Sequence, residues 1–187
     1  MARRLLLVAA ICAAMGLGGA GLIRMMGAAA TEFRIDGDRL VLSGPLTGAA
    51  TDRLERFLQQ NPNLTHVVLA DTPGAHDLGW LLGMADLIAA HGLATEARGS
   101  VGNDAILLFL AGQPRVISGG ALFFYDDGEA RRRGAPWDCD PASAAERLDF
   151  ITATLGDDTF AAFYDQTRRA QPAYQLTADD IQRFGLE

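Results

Sequence analysis

The chain has 187 residues, of which 49% are hydrophobic and 21% charged, a composition typical of a globular domain and not of a disordered segment. All sixteen basic residues are arginine, and thirteen of them follow residue 30 together with all 23 acidic residues. The resulting net charge of about −10 after residue 30 repels phosphate backbones and argues against a nucleic-acid partner.

The N-terminus carries the pattern of an export signal or a membrane anchor. Arg3 and Arg4 precede an uncharged apolar run, Leu5–Ile23, and small residues follow at Gly27–Ala30. This order is typical of a signal peptide with an A-x-A cleavage site. The run also approaches the roughly 20 residues that span a bilayer, so an uncleaved membrane tether through residues 5–23 is the alternative. Both interpretations predict a periplasmic or otherwise extracytoplasmic domain over residues 31–187, because the arginines keep the N-terminal end in the cytoplasm.

Strands and helices are predicted to alternate along residues 31–187. Two apolar segments support this most strongly: His66–Ala70 is typical of a buried parallel strand, and Asn103–Leu110 of a helix buried on most sides. The pattern predicts an α/β fold with a mostly parallel sheet flanked by helices and with further helices at the C-terminus. The predicted strands lie at 33–36, 39–43, 66–70, 95–98, 115–118 and 121–125, and the predicted helices at 47–60, 78–90, 103–110, 142–155, 157–169 and 178–184.

Residues that could bind a metal or a cofactor do not occur at the required spacings. No group of His, Cys or acidic residues has metal-ligand spacing, and no Gly-rich phosphate loop follows residue 30, so we expect neither a metal nor a cofactor. Cys12 lies in the apolar leader, which leaves Cys139 unpaired within the domain, either as a buried thiol or as a cross-link between two chains. Arg131–Arg133 is interpreted as a solvated loop.

Several short motifs resemble, in their order and spacing, the Clp protease proteolytic subunit (ClpP) and enoyl-CoA hydratase (crotonase) superfamily, and most closely its exported ClpP-like branch. The resemblance implies a spiral of ββα units and is compatible with a homo-oligomer. The motifs are Leu42–Leu46, the strand Val67–Leu69 with the loop Thr72–Ala75, Gly92–Thr95, Phe109–Gly112 followed by Arg115, and Leu176–Leu186.

The resemblance also implies where a serine-peptidase triad would lie. Counting back from Phe109–Gly112 places the nucleophile position at Asn103, and the position of the catalytic histidine, at the end of a later strand, falls on Tyr125. Neither residue can perform the family's role, because the chemistry needs a hydroxyl nucleophile with a base beside it. An alignment shifted by three residues would instead place Ser100 at the nucleophile position, although the histidine would still be missing.

An oxyanion hole requires only backbone donors, which persist whatever the side chains are. The resemblance places these donors at Gly74, Ala75 and Asp104. The Asp104 carboxylate, if it lay beside this hole, would oppose a developing negative charge. His76 and Asp104 are weaker candidates for an acid or base, and Tyr125 could also take this role in an enzyme that lacks the serine.

Two functions follow from this pattern. The first is an extracytoplasmic domain that has lost serine-peptidase activity and binds a protein or peptide ligand or takes part in an assembly. The alternative is a hydrolase or crotonase-type enzyme that uses the retained oxyanion-hole backbone with a catalytic group other than serine.

Overall fold

One β-sheet organises the chain in the computed structural model, which describes residues 30–74, 78–125, 141–168, 170 and 172–187. The described residues from Thr31 onward belong to one compact unit. Its strands are β1 (Glu32–Asp36), β2 (Arg39–Ser43), β3 (His66–Thr72), β4 (Ala94–Gly102), β5 (Arg115–Ile117), β6 (Ala121–Phe124) and β7 (Tyr174–Gln175). Its helices are α1 (Ala49–Gln60), α2 (Leu78–Ala90), α3 (Ala105–Ala111), α4 (Pro141–Leu155), α5 (Thr159–Thr167) and α6 (Ala178–Arg183).

The sheet is mostly parallel. Its order is β1-β2-β3-β4-β6-β7, and β5 pairs with the first half of β4 on the same side as β6. The terminal pairs β1–β2 and β6–β7 are antiparallel, whereas the pairs between them are parallel. This architecture confirms the predicted α/β class with a mostly parallel sheet flanked by helices.

The hydrophobic core lies between the helices and one face of the sheet. Leu40 and Leu42 of β2 and Val67 and Leu69 of β3 alternate onto this face and are fully buried, as the period-2 geometry of a strand requires. All residues from Ala105 to Leu110 in α3 are fully buried as well. The apolar continuity of these segments therefore predicted their positions correctly.

The opposite face of the sheet carries a charged cluster around Glu96 of β4. Glu96 is only 4% exposed, and it accepts hydrogen bonds from Arg39, Arg98 and Ser118. Burial alone would raise the pKa of Glu96, but the hydrogen bonds from Ser118 and Arg98 and the charges of Arg98 and Arg39 lower it on balance below its ordinary value. The ionised carboxylate is thus the stable form on this face.

The carboxyl ends of β3 and β4 are longer than the sequence predicted. The predicted strands ended at Ala70 and Arg98, whereas the structure continues them to Thr72 and Gly102. The register between them shifts at Ala70–Thr72, where Asp71 has a φ of 54° and its Oδ1 accepts a hydrogen bond from the Ser100 N–H at 2.9 Å. The register shift therefore lies just before the loop that follows β3.

Some predicted features lie outside the described residues: the leader, His76, Ala75, Arg131–Arg133 and Cys139. Among the helices that the structure describes, none is long and apolar enough to cross a bilayer. The short strand β7 was not predicted, and α6 after it begins with a capping box between Thr177 and Asp180.

Candidate functional site

The candidate site is centred on the turn that joins β4 to α3. Asn103 lies in this turn with a φ of 47°, in the left-handed region that asparagine tolerates better than most residues. Its backbone N–H donates to the Phe123 carbonyl at 2.9 Å, and its carbonyl accepts from the Ile106 N–H at 3.0 Å. A strained turn from strand to helix is also the geometry that presents a nucleophile in hydrolases with a nucleophile elbow.

The Asn103 side chain forms two hydrogen bonds with the backbone of Tyr125. Its Nδ2 donates to the Tyr125 carbonyl at 3.1 Å, and its Oδ1 accepts from the Tyr125 N–H at 3.0 Å. The amide thereby extends the β4–β6 ladder one step beyond the Gly102–Phe123 pair. The structure thus brings together the two residues that the sequence placed at the nucleophile and base positions.

The ring of Tyr125 packs over Gly102. A Cβ at position 102 would lie 2.6 Å from Tyr125 Cε1 and 2.8 Å from the Pro73 carbonyl oxygen, so only glycine fits there. The Tyr125 hydroxyl donates a hydrogen bond to the Pro73 carbonyl. Tyr125 therefore bridges the turn and the loop after β3 and occupies the space between them.

The loop after β3 brings Gly74 against the turn. A Cβ at Gly74 would lie 3.8 Å from Asn103 Cβ and 3.9 Å from the Tyr125 hydroxyl, and the φ of Gly74 is 146°. The Leu46 N–H donates to the Gly74 carbonyl at 3.0 Å and fixes the loop. Within the described residues, neither the Gly74 N–H nor the Asp104 N–H donates a hydrogen bond. Of the three predicted oxyanion-hole residues, Gly74 and Asp104 are thus neighbours of Asn103, and Ala75 lies outside the described residues.

The Asp104 carboxylate is held among the helices. Arg147 of α4 contacts both of its oxygens, with Nη2 3.0 Å from Oδ2 and Nε 2.9 Å from Oδ1, and the Tyr164 hydroxyl donates to Oδ1. Arg147 is 1% exposed and Tyr164 fully buried. Burial and, after it, the Asp104 carboxylate raise the pKa of Tyr164 well above its ordinary value, so this hydroxyl remains a donor.

The Asp104 carboxylate, which would oppose an oxyanion if it lay beside the hole, is therefore paired with Arg147 and Tyr164. The charge of this carboxylate is paired with an arginine inside the protein, and both of its oxygens accept a hydrogen bond there. Sequence analysis missed Arg147 and Tyr164, although Arg147 precedes the buried Ile151 by four residues and so shares the apolar face of α4.

Ser100 and the two described histidines, His66 and His91, do not lie in the strand-to-helix turn. Ser100 is an exposed residue inside β4, paired with Ala121, and does not occupy the strand-to-helix turn. His66 Nδ1 lies 2.7 Å from Thr65 Oγ1, and His91 Nδ1 lies 2.8 Å from the Leu87 carbonyl oxygen, so both contact their own neighbours in the chain. His76 lies outside the described residues, within which no cluster of three metal-ligating side chains occurs.

No family model matches the sequence, and no curated protein is similar to it by sequence. Solved structures are similar in fold. ClpP1 from Listeria monocytogenes is 12% identical with a TM-score of 0.57, over 80% of this chain and 88% of that one. A peptidase from Plasmodium falciparum is 13% identical with a TM-score of 0.56, over 80% and 92% of the two chains. An enoyl-CoA hydratase/isomerase family member is 13% identical with a TM-score of 0.53, over 84% and 67%. The fold is therefore ClpP/crotonase-like.

Proposed function

We propose that this chain is an extracytoplasmic ClpP/crotonase-like domain that lacks serine-peptidase activity and acts as a binding or assembly module for a protein or peptide ligand. The observation that carries the proposal is the pair of hydrogen bonds between the Asn103 amide and the Tyr125 backbone. The residue at the strand-to-helix turn, Asn103, has no hydroxyl group that could act as a nucleophile. Both polar side-chain atoms of Asn103 are hydrogen-bonded to the backbone of Tyr125.

Acyl transfer at this turn would need three things: a nucleophile with a proton to lose, a base to take it, and room for the acyl group. Asn103 supplies no such proton. Tyr125 supplies no imidazole, and its hydroxyl already donates to the Pro73 carbonyl. Its ring fills the space over Gly102. Each of the three requirements is therefore unmet by the described residues at the turn.

The alternative, an enzyme with a non-serine catalytic group, is supported by one observation. The N–H groups of Gly74 and Asp104 form no hydrogen bond with other described residues, as the donors of an oxyanion hole require. Such an enzyme would still need a positioned acid or base. Because Arg147 and Tyr164 hold the Asp104 carboxylate and Pro73 holds the Tyr125 hydroxyl, we favour the binding module.

Turnover of acyl substrates distinguishes the two functions. The purified protein is assayed with p-nitrophenyl acetate and with a short-chain acyl thioester. If the chain is a binding module, the wild type and the Gly74→Val variant should hydrolyse these substrates at equal rates. The variant carries a bulky side chain beside the proposed donors. The enzyme predicts saturable turnover in the wild type that this variant loses.

The proposed location depends on the leader. A fusion of residues 1–35 to alkaline phosphatase, which is active only outside the cytoplasm, is expected to be active. A matched fusion with Arg3 and Arg4 changed to glutamate is expected to lose most of that activity, because the positive N-terminal side sets the orientation. Stable but inactive wild-type fusion protein would contradict an extracytoplasmic location. The mass of the exported protein then decides between a cleaved leader and a membrane tether.

A further inference from the structure

The strand β5 has an edge that no strand of the described chain covers. The Thr95 N–H donates to the Pro114 carbonyl and the Ser118 N–H donates to the Ala97 carbonyl, at 3.0 Å each. In this parallel register the backbone groups of Val116 also face β4, so those of Arg115 and Ile117 face away from it. The outer edge of the adjacent β6 is paired with β7, and this pairing stops before β5.

One backbone N–H of this edge is hydrogen-bonded to a side chain and not to another strand. The Ile117 N–H donates to Glu187 Oε1 at 2.7 Å. The Arg115 guanidinium donates to the carbonyls of Leu186 at 3.0 Å and Gly185 at 3.1 Å, which holds the segment before Glu187 in place. An unpaired strand edge is a template for the addition of another strand, and a side-chain carboxylate is an acceptor that a peptide carbonyl can replace.

A groove of about 470 Å³ lies beside this edge, between β5 and α6. Its volume is within the range of pockets that bind small ligands or side chains. Apolar atoms of Ile117 and Ile181 face it, and Glu187 is the one residue of its lining that carries a charge. On the other face of β5, Val116 is 42% exposed. The lining residues are Ile117, Ala178, Ile181, Gln182, Gly185 and Glu187.

We propose that the edge of β5 and this groove bind an extended peptide segment that places an apolar side chain in the groove and a basic side chain beside Glu187. A backbone carbonyl of the segment accepts the Ile117 N–H in place of the Glu187 carboxylate. The released carboxylate then pairs with the basic side chain, which gives charge complementarity to an acidic domain.

This site is separate from the strand-to-helix turn and does not depend on the function proposed for it. Ala97, the partner of Ile117 in β4, precedes Asn103 by six residues, a distance of about 20 Å along an extended strand. Variants at the turn and variants at the groove therefore report on different sites.

Fluorescence anisotropy of labelled peptides tests the proposal with the full chain in a mild detergent. The probe is a seven-residue, end-capped peptide that alternates leucine and arginine. We expect saturable binding that weakens at least about tenfold when alternate amides are N-methylated, because they can no longer pair with the edge. We expect a similar loss when arginine is replaced by glutamate, because the charge complementarity is reversed.

Protein variants locate the binding. We expect binding to weaken about tenfold or more in two groove variants, Ile181→Asp and Ala178→Gln. The second changes an exposed position. Glu187→Gln should weaken the arginine peptide several-fold and leave a leucine–serine peptide unchanged. Ile35→Asp on β1, where Ile35 is 41% exposed, is the matched control and should have no effect. Circular dichroism verifies that each variant is folded.

Three results would overturn the proposal: no saturable binding, equal binding of the N-methylated peptide, or binding unaffected by both groove variants. A fourth is concentration-dependent dimerisation of the wild type that Ile181→Asp abolishes, because the occupant of the edge would then be a second copy of the chain.

Discussion

The side-chain amide of Asn103 and the backbone of Tyr125 form a closed pair of hydrogen bonds, with Nδ2 3.1 Å from the Tyr125 carbonyl oxygen and the Tyr125 nitrogen 3.0 Å from Oδ1. The pair joins the end of β4 to the residue after β6. It also holds the Tyr125 ring over Gly102, from where the hydroxyl reaches Pro73. The two residues that the motif resemblance places at the nucleophile and histidine positions are thus linked by hydrogen bonds in this chain.

Two substitutions of Asn103 should distinguish how much its side-chain hydrogen bonds and its backbone conformation each contribute to stability. Asn103→Ala loses both side-chain hydrogen bonds and keeps a side chain at a φ of 47°, so we expect a loss of about 2–4 kcal/mol in the free energy of unfolding. Asn103→Gly loses the same hydrogen bonds without that strain and should be about 1 kcal/mol more stable than the alanine variant. Urea denaturation measures both, and a glycine variant less stable than the alanine variant would contradict the geometry.

Gly102 should not tolerate a side chain. A Cβ there would lie 2.6 Å from Tyr125 Cε1 and 2.8 Å from the Pro73 carbonyl oxygen, so Gly102→Ala is expected to destabilise the protein by about 2–3 kcal/mol. The double variant with Tyr125→Ala removes the ring contact and keeps the carbonyl contact. The effect of Gly102→Ala should therefore be smaller in the Tyr125→Ala background, as thermal unfolding can measure. Equal effects in the two backgrounds would show that the ring does not pack over Gly102.

The Asp104–Arg147–Tyr164 cluster should contribute mainly to stability. Asp104→Ala removes a carboxylate that contacts the buried Arg147 and should cost about 3–5 kcal/mol. Tyr164→Phe removes one hydrogen bond to a charged group and should cost about 1.5–3 kcal/mol. A double-mutant cycle between Asp104→Ala and Arg147→Ala should give a coupling energy of at least about 1 kcal/mol. Strict additivity would contradict a direct ion pair.

Glu96 should make stability depend on pH in the acidic range. Because its pKa is lowered in the folded state, its contribution is present above its ordinary pKa and disappears as the pH falls through the lowered value. Arg39 and Arg98 have side chains that are 38% and 41% exposed, so solvent screening limits the contribution to about 1–2 kcal/mol. The difference in unfolding free energy between the wild type and Glu96→Gln should therefore shrink between pH 6 and pH 3. A difference independent of pH would contradict this assignment.

The sequence predicted those parts of the fold that depend on local pattern. The apolar composition of Val67–Ala70 and Ala105–Leu110 alone predicts that they are buried. The structure places the first in a strand of the sheet and the second in a buried helix, as expected. The extension of β4 to Gly102 was missed because Gly99 interrupts the strand pattern. What holds that extension is pairing with Ala121–Phe123, which is a tertiary contact. With only two residues, β7 is too short for any periodicity.

The candidate site was predictable in position but not in contacts. A resemblance in motif order was enough to place Asn103, Tyr125 and Gly74 together, because loops at the carboxyl ends of adjacent parallel strands converge. The partners of Asp104 lie 43 and 60 residues further along the chain, on α4 and α5, and no local pattern connects them to the turn. Only the packing of those helices determines that the carboxylate is used for structure.

Covalent labelling of the wild-type protein with a fluorophosphonate probe, followed by mass spectrometry, tests the central claim most directly. Such probes modify serines whose proton is taken by a positioned base. With Asn103 at the turn and Tyr125 beside it, we predict no labelling above that of heat-denatured protein. Asn103→Ser combined with Tyr125→His places a hydroxyl and an imidazole at these two positions and serves as the comparison variant. Covalent modification of Ser100 in the wild type would contradict the account, because it would show a hydrolase whose nucleophile lies in β4 and not at the turn.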